Sequence, residues 1–121
     1  MATAPVLFLW YPKCSTCRKA KKWLDEHGVE YTERHIVEDN PSAEELTRWH
    51  AASGLPARRF FNTSGKLYRE LGVKAKLDAG MTDAEIFELL STEGMLVKRP
   101  LVVGEDFVLV GFNETSWQVL L

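Results

Sequence analysis

The pattern of hydrophobic and polar positions begins with a run of five apolar residues. The run Val6-Leu7-Phe8-Leu9-Trp10 is typical of a β-strand that is buried on both faces. The stretch Tyr11-Pro12-Lys13 interrupts this run. Apolar positions then recur at helical spacing over residues 15–27, which predicts a helix. Gly28, directly after this range, predicts the end of the helix. Residues 31–37 are predicted to form a second strand. Strand, helix and strand at this length predict a parallel, right-handed βαβ unit.

The middle of the chain contains two capping boxes, in which a Ser or Thr and a Glu three residues later satisfy the first backbone groups of a helix. Ser42 with Glu45 predicts one such helix, and Thr82 with Glu85 predicts another. A shorter helix is predicted between them at about residues 67–71. This part of the chain is therefore expected to be helical.

After Pro100 the pattern returns to short strands. Residues 101–103 and 107–110 predict two strands joined by a turn that is too short for a crossover, so we expect them to pair antiparallel. Asn113 is in position to cap a final helix. The sequence therefore predicts an α/β fold with a four-stranded mixed sheet, in the order βαβ, helical insert at about residues 42–95, and ββα.

Composition places the chain among ordinary globular proteins. Its 121 residues suit one domain, predicted to span residues 1–121. The net charge is −2 with both signs interspersed, so charge gives no reason to expect direct binding to nucleic acid. No apolar run approaches the ~20 residues of a membrane span, and residues 1–5 lack the positive charge of a signal peptide. We expect a cytoplasmic protein that binds neither nucleic acid nor a membrane.

The chain contains two cysteines, Cys14 and Cys17. A permanent disulfide is not expected in a reducing cytoplasm, and a bridge between these two would close a very short loop and add little stability. A C-x-x-C motif at the junction of a strand and a helix in a βαβ unit is instead typical of thioredoxin-like redox proteins. We therefore predict a thioredoxin-like (glutaredoxin-like) fold with a redox-active cysteine pair.

The position at the helix N-terminus predicts that Cys14 is the reactive thiol. Unpaired backbone N–H groups and the helix dipole favour a thiolate there, and basic residues on both sides of Cys14 add positive charge. Cys17 lies one turn further along, where it can attack a mixed disulfide formed at Cys14. We predict that Cys14 is the nucleophile and Cys17 the resolving thiol. The supporting residues within the motif are Lys13, Ser15, Thr16 and Arg18.

Two different roles for the cysteines stay open beside the redox role. A C-x-x-C motif is half of many zinc sites, but zinc takes four ligands, and the chain has no second cysteine pair and no histidines at metal-ligand spacing. We therefore expect no metal. The cysteines could also be small buried residues without chemistry.

We expect the three histidines to lie on the surface, and Trp23, Trp49 and Trp117 to pack in the core.

A second informative stretch, Lys98-Arg99-Pro100, precedes a predicted strand. In thioredoxin-like folds a cis proline begins the strand that faces the redox motif. Only about 5–6% of X–Pro bonds in folded proteins are cis, but this context raises the expectation for Pro100, and the sequence leaves the isomer open. With a cis bond, Arg99 would lie near Cys14 and stabilise a thiolate or an oxyanion. The alternative is a surface arginine before a trans proline.

Three stretches of the chain resemble the ArsC-like family, which includes glutaredoxin-dependent arsenate reductases and Spx-type transcriptional regulators. They are residues 11–20 (YPKCSTCRKA), residues 60–65 (FFNTSG) followed by 68–71 (YREL), and residues 98–101 (KRPL). The middle stretch most resembles the family's uncharacterised YusI-like branch. The resemblance covers nearly the whole chain and implies a thioredoxin-like fold with a helical insert.

The resemblance implies a thiol-dependent oxidoreductase that uses the Cys14/Cys17 pair for thiol–disulfide or oxyanion reduction. In the arsenate reductases a cysteine attacks arsenate and three arginines hold it. Cys14 matches that cysteine and Arg99 one of the arginines, but Asn62 stands where the second is expected and residues 107–110 lack the third. Because arginine forks suit oxyanions, their loss weakens the expectation of arsenate binding. Residues predicted on the substrate side are Asn62, Ser64 and Pro100.

Reductants and partners are also implied by the resemblance. The arsenate reductases lack the second cysteine of the motif and use glutathione and glutaredoxin. We expect no bound cofactor, with glutathione and glutaredoxin or thioredoxin as external reductant. A small thiol, an oxyanion or a redox partner protein would be the substrate. Spx-type regulators use C-x-x-C as a disulfide switch and bind RNA polymerase, so a regulator of that type is the alternative to an enzyme.

Overall fold

The computed structural model describes residues 5–121, and residues 1–4 of the predicted domain lie outside the described residues. The strands are β1 (Val6–Trp10), β2 (Tyr31–His35), β3 (Leu101–Val103) and β4 (Val108–Val110). The helices are α1 (Ser15–Glu26), α2 (Ala43–Ser53), α3 (Lys66–Glu70), α4 (Val73–Asp78), α5 (Asp83–Thr92) and α6 (Glu114–Leu120), with 3-10 helices at Ala57–Phe60 and Gly94–Leu96. None of the helices in the described part of the chain is long and apolar enough to cross a membrane.

The four strands form one mixed sheet in the order β2-β1-β3-β4. β1 runs parallel to β2, with Val6 opposite Tyr31, and antiparallel to β3, with Leu9 opposite Leu101. β3 and β4 form an antiparallel hairpin. The predicted mixed sheet and the predicted order of elements along the chain are confirmed.

A hydrophobic core covers each face of the sheet. On one face Leu9 and Leu101 pack against residues of α2 and α5. On the other face Phe8 and Val102 pack against residues of α1 and α6. Because successive side chains of a strand point to opposite faces, β1 needs apolar residues at consecutive positions, which explains the apolar run in the sequence. The tryptophans predicted in the core are buried, namely Trp23, Trp49 and Trp117.

Two local features differ from the sequence prediction. No helix is predicted from the sequence over residues 73–78, where the structure has α4. Gly72, with φ of 62°, turns the chain between α3 and α4 in a conformation that suits glycine, and does not end the helical region. The predicted strand 31–37 is also too long. The ring Nδ1 of His35 accepts hydrogen bonds from the N–H groups of Val37 and Glu38, at 3.2 and 3.0 Å, and this turns the chain out of β2.

The predicted helix caps are present in the structure. The Ser42 hydroxyl accepts a hydrogen bond from the Glu45 N–H at 3.1 Å, and the Glu45 carboxylate accepts one from the Ser42 N–H at 3.0 Å. Thr82 and Glu85 repeat this arrangement at the start of α5. The side chain of Asn113 caps α6 through one such bond. These local signals were sufficient to place the helix starts because each cap depends only on neighbouring residues.

Arg34 ties β2 to the start of α2. Its guanidinium donates to both carboxylate oxygens of Glu45, at 2.7 and 2.9 Å, and to the carbonyl of Asp39 at 2.9 Å. It also lies over the ring of Trp49. Hydrogen bonds from Arg34, together with those from Ser42, lower the pKa of Glu45 from 4.5 to about 2. The pair therefore contributes to the stability of the folded state.

We expect Glu45→Gln to lower the free energy of unfolding by about 1–2 kcal/mol at neutral pH, because a charge-assisted pair is lost while the glutamine can still form the capping box. The lowered pKa gives the sign of the pH dependence. The contribution of the pair is complete above about pH 4.5 and is lost as the pH falls toward 2. Urea denaturation of both proteins across this pH range measures the difference.

The matched control is Glu85→Gln. Glu85 occupies the same position in the other capping box, but it is exposed and has no ion pair with any residue of the described range 5–121. We expect a smaller loss of stability from this variant. An equal loss in both variants would show that the cap and not Arg34 stabilises the protein.

Candidate active site

The turn between β1 and α1 places Cys14 at the N-cap of the helix. Its N–H donates to the carbonyl of Tyr11 at 2.9 Å, and its carbonyl accepts the first helical hydrogen bond, from the N–H of Arg18 at 3.1 Å. The residue has extended backbone geometry, and its side chain makes no capping hydrogen bond. The thiol is therefore unbridged, half-buried and at the positive end of the α1 dipole.

Cys17 lies one turn along α1 and is fully buried. The N–H of Tyr11 donates to its sulfur at 3.5 Å. The N–H and the thiol of Cys17 are near enough to the sulfur of Cys14 to act on its pKa. One short turn therefore holds the two sulfurs together, with Cys14 towards solvent and Cys17 behind it.

The two thiols have opposite pKa shifts. Burial raises the pKa of Cys14, but hydrogen bonds from Cys17 and the positive charge of Arg99 outweigh it, so this pKa lies below its ordinary value. Burial raises the pKa of Cys17 to about 12. The neighbouring sulfur of Cys14 also raises this pKa, whereas the hydrogen bond from the N–H of Tyr11 lowers it. The environment therefore favours the nucleophilic thiolate at Cys14 and keeps Cys17 protonated near neutral pH.

Arg99 reaches the site from the segment that precedes β3. The peptide bond between Arg99 and Pro100 is cis. The guanidinium lies over the ring of Tyr11, with 5.4 Å between its central carbon and the ring centroid, and Nη1 donates to the carbonyl of Met95 at 3.3 Å. The Nε atom is buried and has no hydrogen-bond partner within residues 5–121. An unpaired buried donor is costly, so Arg99 is held here without full hydrogen bonding of its guanidinium.

Arg99 also lines a cleft of about 480 Å³. One of its lining residues, Asn62, belongs to a short antiparallel pairing, in which the Asn62 N–H donates to the carbonyl of Leu96 and the Lys98 N–H donates to that of Phe60, both at 2.7 Å. The other lining residues are Asn62, Ser64, Gly65, Lys66, Leu67 and Met95. A cleft of this size, with a few polar and cationic groups next to a reactive thiol, is typical of a site for a small substrate.

The structure brings several of the predicted site residues together. Arg99 is close enough to Cys14 to lower its pKa, and the same arginine lines the cleft that contains Asn62 and Ser64. Pro100 is buried next to it, just before β3. Arg99 is therefore the residue that joins the thiol to the cleft.

The remaining residues of the motif lie at the surface around Cys14. Lys13, Ser15, Thr16 and Arg18 are all exposed. The guanidinium of Arg18 donates to the carbonyl of Pro12 at 3.0 Å, so it braces the turn that precedes the helix. The effect of Arg18 on the thiolate stays a prediction.

Sequence reasoning missed three residues of this region. In the sequence, Tyr11 is only a residue that interrupts a strand and part of a family motif, but in the structure its N–H contacts Cys17 and its ring contacts Arg99. An aromatic residue just before a C-x-x-C motif was the available signal. Met95 and Lys66 reach the cleft from a 3-10 helix and from α3, and no pattern in the sequence indicates that these elements meet.

The structure also bears on the question of metal ligands. Within residues 5–121, no group of three His, Cys, Asp or Glu side chains comes together to hold a metal ion. The three histidines predicted at the surface differ in exposure, and none of them is fully buried. His27 is exposed, whereas His35 and His50 are half-buried. His50 packs against Phe87 with 5.3 Å between ring centroids, so it contributes to the helical layer.

Comparison with known sequences places the chain among proteins of one family. The model of the ArsC family matches residues 9–120. The Bacillus subtilis protein YusI is 55% identical over 92% of this chain and 93% of its own length. The regulatory protein MgsR of Bacillus subtilis is 31% identical over 88% of this chain and 82% of its own. The global transcriptional regulator Spx of Listeria monocytogenes is 32% identical over 85% and 76%.

Solved structures give the same result. An ArsC family related protein from Bacteroides fragilis superposes with a TM-score of 0.93 at 57% identity, covering 98% of this chain and 99% of that one. A possible arsenate reductase from Streptococcus mutans superposes with a TM-score of 0.86 at 40% identity, covering 96% and 98%. The match in fold therefore extends over nearly the whole of each chain.

We expect Arg99→Met to raise the pKa of Cys14, because the variant removes the positive charge and the hydrogen bonding that favour the thiolate. The rate of alkylation of Cys14 by iodoacetamide, followed by mass spectrometry as a function of pH, reports this pKa. The midpoint should move to higher pH, and Arg99→Lys should move it less because the charge remains.

Arg18→Met is the matched control for this experiment. It removes the same charge from an exposed side chain whose hydrogen bond goes to Pro12. An equal shift in the two variants would mean that general charge, and not the position of Arg99, sets the reactivity of Cys14.

Proposed function

The chain belongs to the ArsC family, and on that basis we propose that it is a thiol-dependent oxidoreductase that reduces disulfides with Cys14 and Cys17. Cys14 is the nucleophile, Cys17 is the resolving thiol, and Arg99 stabilises the thiolate. The proposal includes a cytoplasmic location, no bound cofactor and an external thiol reductant.

The difference in burial between the two neighbouring thiols, with their opposite pKa shifts, carries this proposal. A half-buried Cys14 with a lowered pKa suits attack on an incoming molecule. A fully buried Cys17 with a pKa of about 12 is protected from attack but lies against the sulfur of Cys14. A partly exposed thiol with a lowered pKa beside a buried thiol with a raised pKa is the arrangement that a nucleophile and a resolving thiol need.

In the first step the thiolate of Cys14 attacks one sulfur of a substrate disulfide. A bond forms between that sulfur and Cys14, the substrate S–S bond breaks, and the other substrate sulfur leaves as a thiolate. The leaving thiolate takes a proton from solvent. The positive charge of Arg99 stabilises the Cys14 thiolate before the attack.

In the second step Cys17 loses its proton to solvent or to the leaving group and attacks the sulfur of Cys14. The mixed disulfide breaks, the second half of the substrate leaves as a thiol, and an internal disulfide joins Cys14 to Cys17. Two electrons have then passed from the protein to the substrate. An external dithiol or two external thiols, from glutathione with glutaredoxin or from thioredoxin, return them.

The cleft favours an organic disulfide over an inorganic oxyanion such as arsenate. Its cationic residues are Arg99 and Lys66, and the side chain of Asn62 offers an amide where the arsenate reductases have an arginine fork. Leu67 and Met95 add apolar wall that an inorganic anion would not use. A small organic disulfide with a polar group for Arg99 fits these features better.

We expect Cys14→Ser to abolish reduction of a small disulfide, and Cys17→Ser to accumulate a mixed disulfide at Cys14. The physical reason is that the first variant lacks the nucleophile and the second lacks the thiol that resolves the intermediate. Mass spectrometry of the acid-quenched protein detects the added mass on Cys14, and release of the substrate thiol measures turnover.

Ser64→Ala serves as a control within the cleft, since it removes a polar contact but neither thiol. It should keep the mixed disulfide and internal disulfide chemistry intact. Full activity of Cys14→Ser would overturn the assignment. Absence of any internal disulfide in the oxidised wild-type protein would remove the resolving role of Cys17.

The second candidate function is a redox-switched regulator. It is supported by the identity of about one third to MgsR and to Spx, a regulatory protein and a global transcriptional regulator by name. In this case the Cys14–Cys17 disulfide would be a signal, and the binding partner would be RNA polymerase. The protein would then hold its partner in one redox state and release it in the other.

A pull-down with reduced and with oxidised protein tests this candidate. Under the regulator hypothesis RNA polymerase subunits are retained in one state, and Cys14→Ser with Cys17→Ser removes the difference between states. Recovery of no polymerase subunit in either state would exclude the regulator, and it would leave the result of the reductase assay unaffected.

A further inference from the structure

A second pocket, of about 240 Å³, lies outside the candidate active site. It shares no lining residue with the cleft at Arg99, and it includes neither cysteine. Its lining residues are Arg58, Arg59, Phe61, Thr63, Tyr68 and Lys98. We call it the Arg58 pocket.

The Arg58 pocket concentrates positive charge. Three cationic side chains line it, from Arg58, Arg59 and Lys98, and no acidic residue does. None of the three forms an ion pair with any residue in the range 5–121. The chain as a whole has a net charge of −2, so this cluster departs from the general balance. Cations held close together repel each other, and an anion placed between them relieves that repulsion.

Two hydroxyl groups complete the set of donors. Thr63 and Tyr68 both line the pocket, and the structure of residues 5–121 shows no hydrogen bond from either side chain. The ring of Tyr68 is held by edge-on packing against the buried Phe61, with 5.8 Å between centroids. The pocket therefore offers hydroxyl donors as well as charge.

The position of Lys98 is also set by packing. A Cβ atom at Gly111 would lie 3.2 Å from Cε of Lys98, so the aliphatic part of the lysine passes closely over the glycine backbone. A larger residue at position 111 would push the lysine away. Lys98 lines the pocket together with the two arginines, which come from a separate 3-10 helix.

We propose that the Arg58 pocket binds a small dianion of the phosphate class, either inorganic phosphate or the phosphate group of a small monoester. A tetrahedral dianion accepts many hydrogen bonds, which suits a pocket lined by guanidinium, ammonium and hydroxyl donors. A single carboxylate would neutralise one of the three charges. A volume of about 240 Å³ is below the ~300–1,000 Å³ of pockets for drug-sized ligands, so the anion is small.

This site goes beyond the proposed reductase function and does not depend on it. The anion would bind on residues that take no part in the attack by Cys14, although Lys98 is next to Arg99 in the chain. A protein that lacks both thiols should therefore bind the anion as the wild-type protein does. Failure of one proposal leaves the other standing.

Isothermal titration of inorganic phosphate into the wild-type protein at low salt tests the proposal. We expect saturable binding at one site, which weakens as salt rises from about 20 to about 200 mM. Arg58→Gln and Lys98→Met should each weaken binding roughly tenfold, because each removes one charged donor. The double variant Cys14→Ser with Cys17→Ser should bind phosphate with unchanged affinity.

The matched control is Arg48→Gln, which removes the same charge from an exposed arginine of α2 outside this pocket. It should leave the affinity unchanged. Equal weakening by Arg48→Gln and Arg58→Gln would overturn the proposal, since the anion would then respond to total charge. Unchanged binding in both Arg58→Gln and Lys98→Met would also overturn it.

The charge of the ligand gives an independent test. The second pKa of a phosphate monoester lies near 6, so glycerol 2-phosphate should bind more tightly at about pH 7.5 than at about pH 5, where it is a monoanion. Sulfate stays a dianion over this range and should show no such gain, which controls for titration of the protein. Acetate should bind weakly at both pH values. Acetate that binds as tightly as phosphate would contradict a site for dianions.

Discussion

The antiparallel pairing of β1 with β3 decides where the chemistry of this protein is located. Leu9 lies opposite Leu101, and continuing this register by two residues brings Tyr11 next to Arg99. Tyr11 precedes the cysteine motif, and Arg99 precedes β3. The pairing therefore assembles at one end of the sheet a thiol, an arginine and the aromatic ring between them, from segments far apart in the chain. No contact within the cysteine motif itself could supply that arginine.

Burial then gives the two cysteine thiols different pKa values. Both belong to one helical turn, and both are near Arg99, but Cys14 is half-buried at the N-cap whereas Cys17 is fully covered. Desolvation disfavours the charged form of each thiol. At Cys14 the hydrogen bonds from Cys17 and the charge of Arg99 overcome this penalty, and at Cys17 they do not. The same local sequence thus contains one partly exposed thiol with a lowered pKa and one buried thiol with a raised pKa.

Much of the fold could be predicted because its signals are local. The apolar run of β1, the capping boxes at Ser42 and Thr82, and the cap at Asn113 each depend on a few neighbouring residues. The helix α4 was missed because Gly72 acts as a turn between two helices as readily as an end. The part of the cleft formed by Lys66 and Met95, and the whole Arg58 pocket, were missed for a different reason. Their residues come from separate elements, and only the tertiary packing of those elements brings them together.

The two hydrophobic cores support different parts of the candidate site. The helix that presents Cys14 is supported by one core, through Ala20, Trp23 and Leu24. Leu67, which lines the cleft, packs against the core on the opposite face of the sheet. Because energetic effects at sites without shared contacts are nearly additive, substitutions of cleft residues on α3 should disturb the cysteine turn less than substitutions of Arg99, which acts on Cys14 and also lines the cleft. The lining of the cleft and the turn that carries Cys14 are therefore linked through the side chain of Arg99.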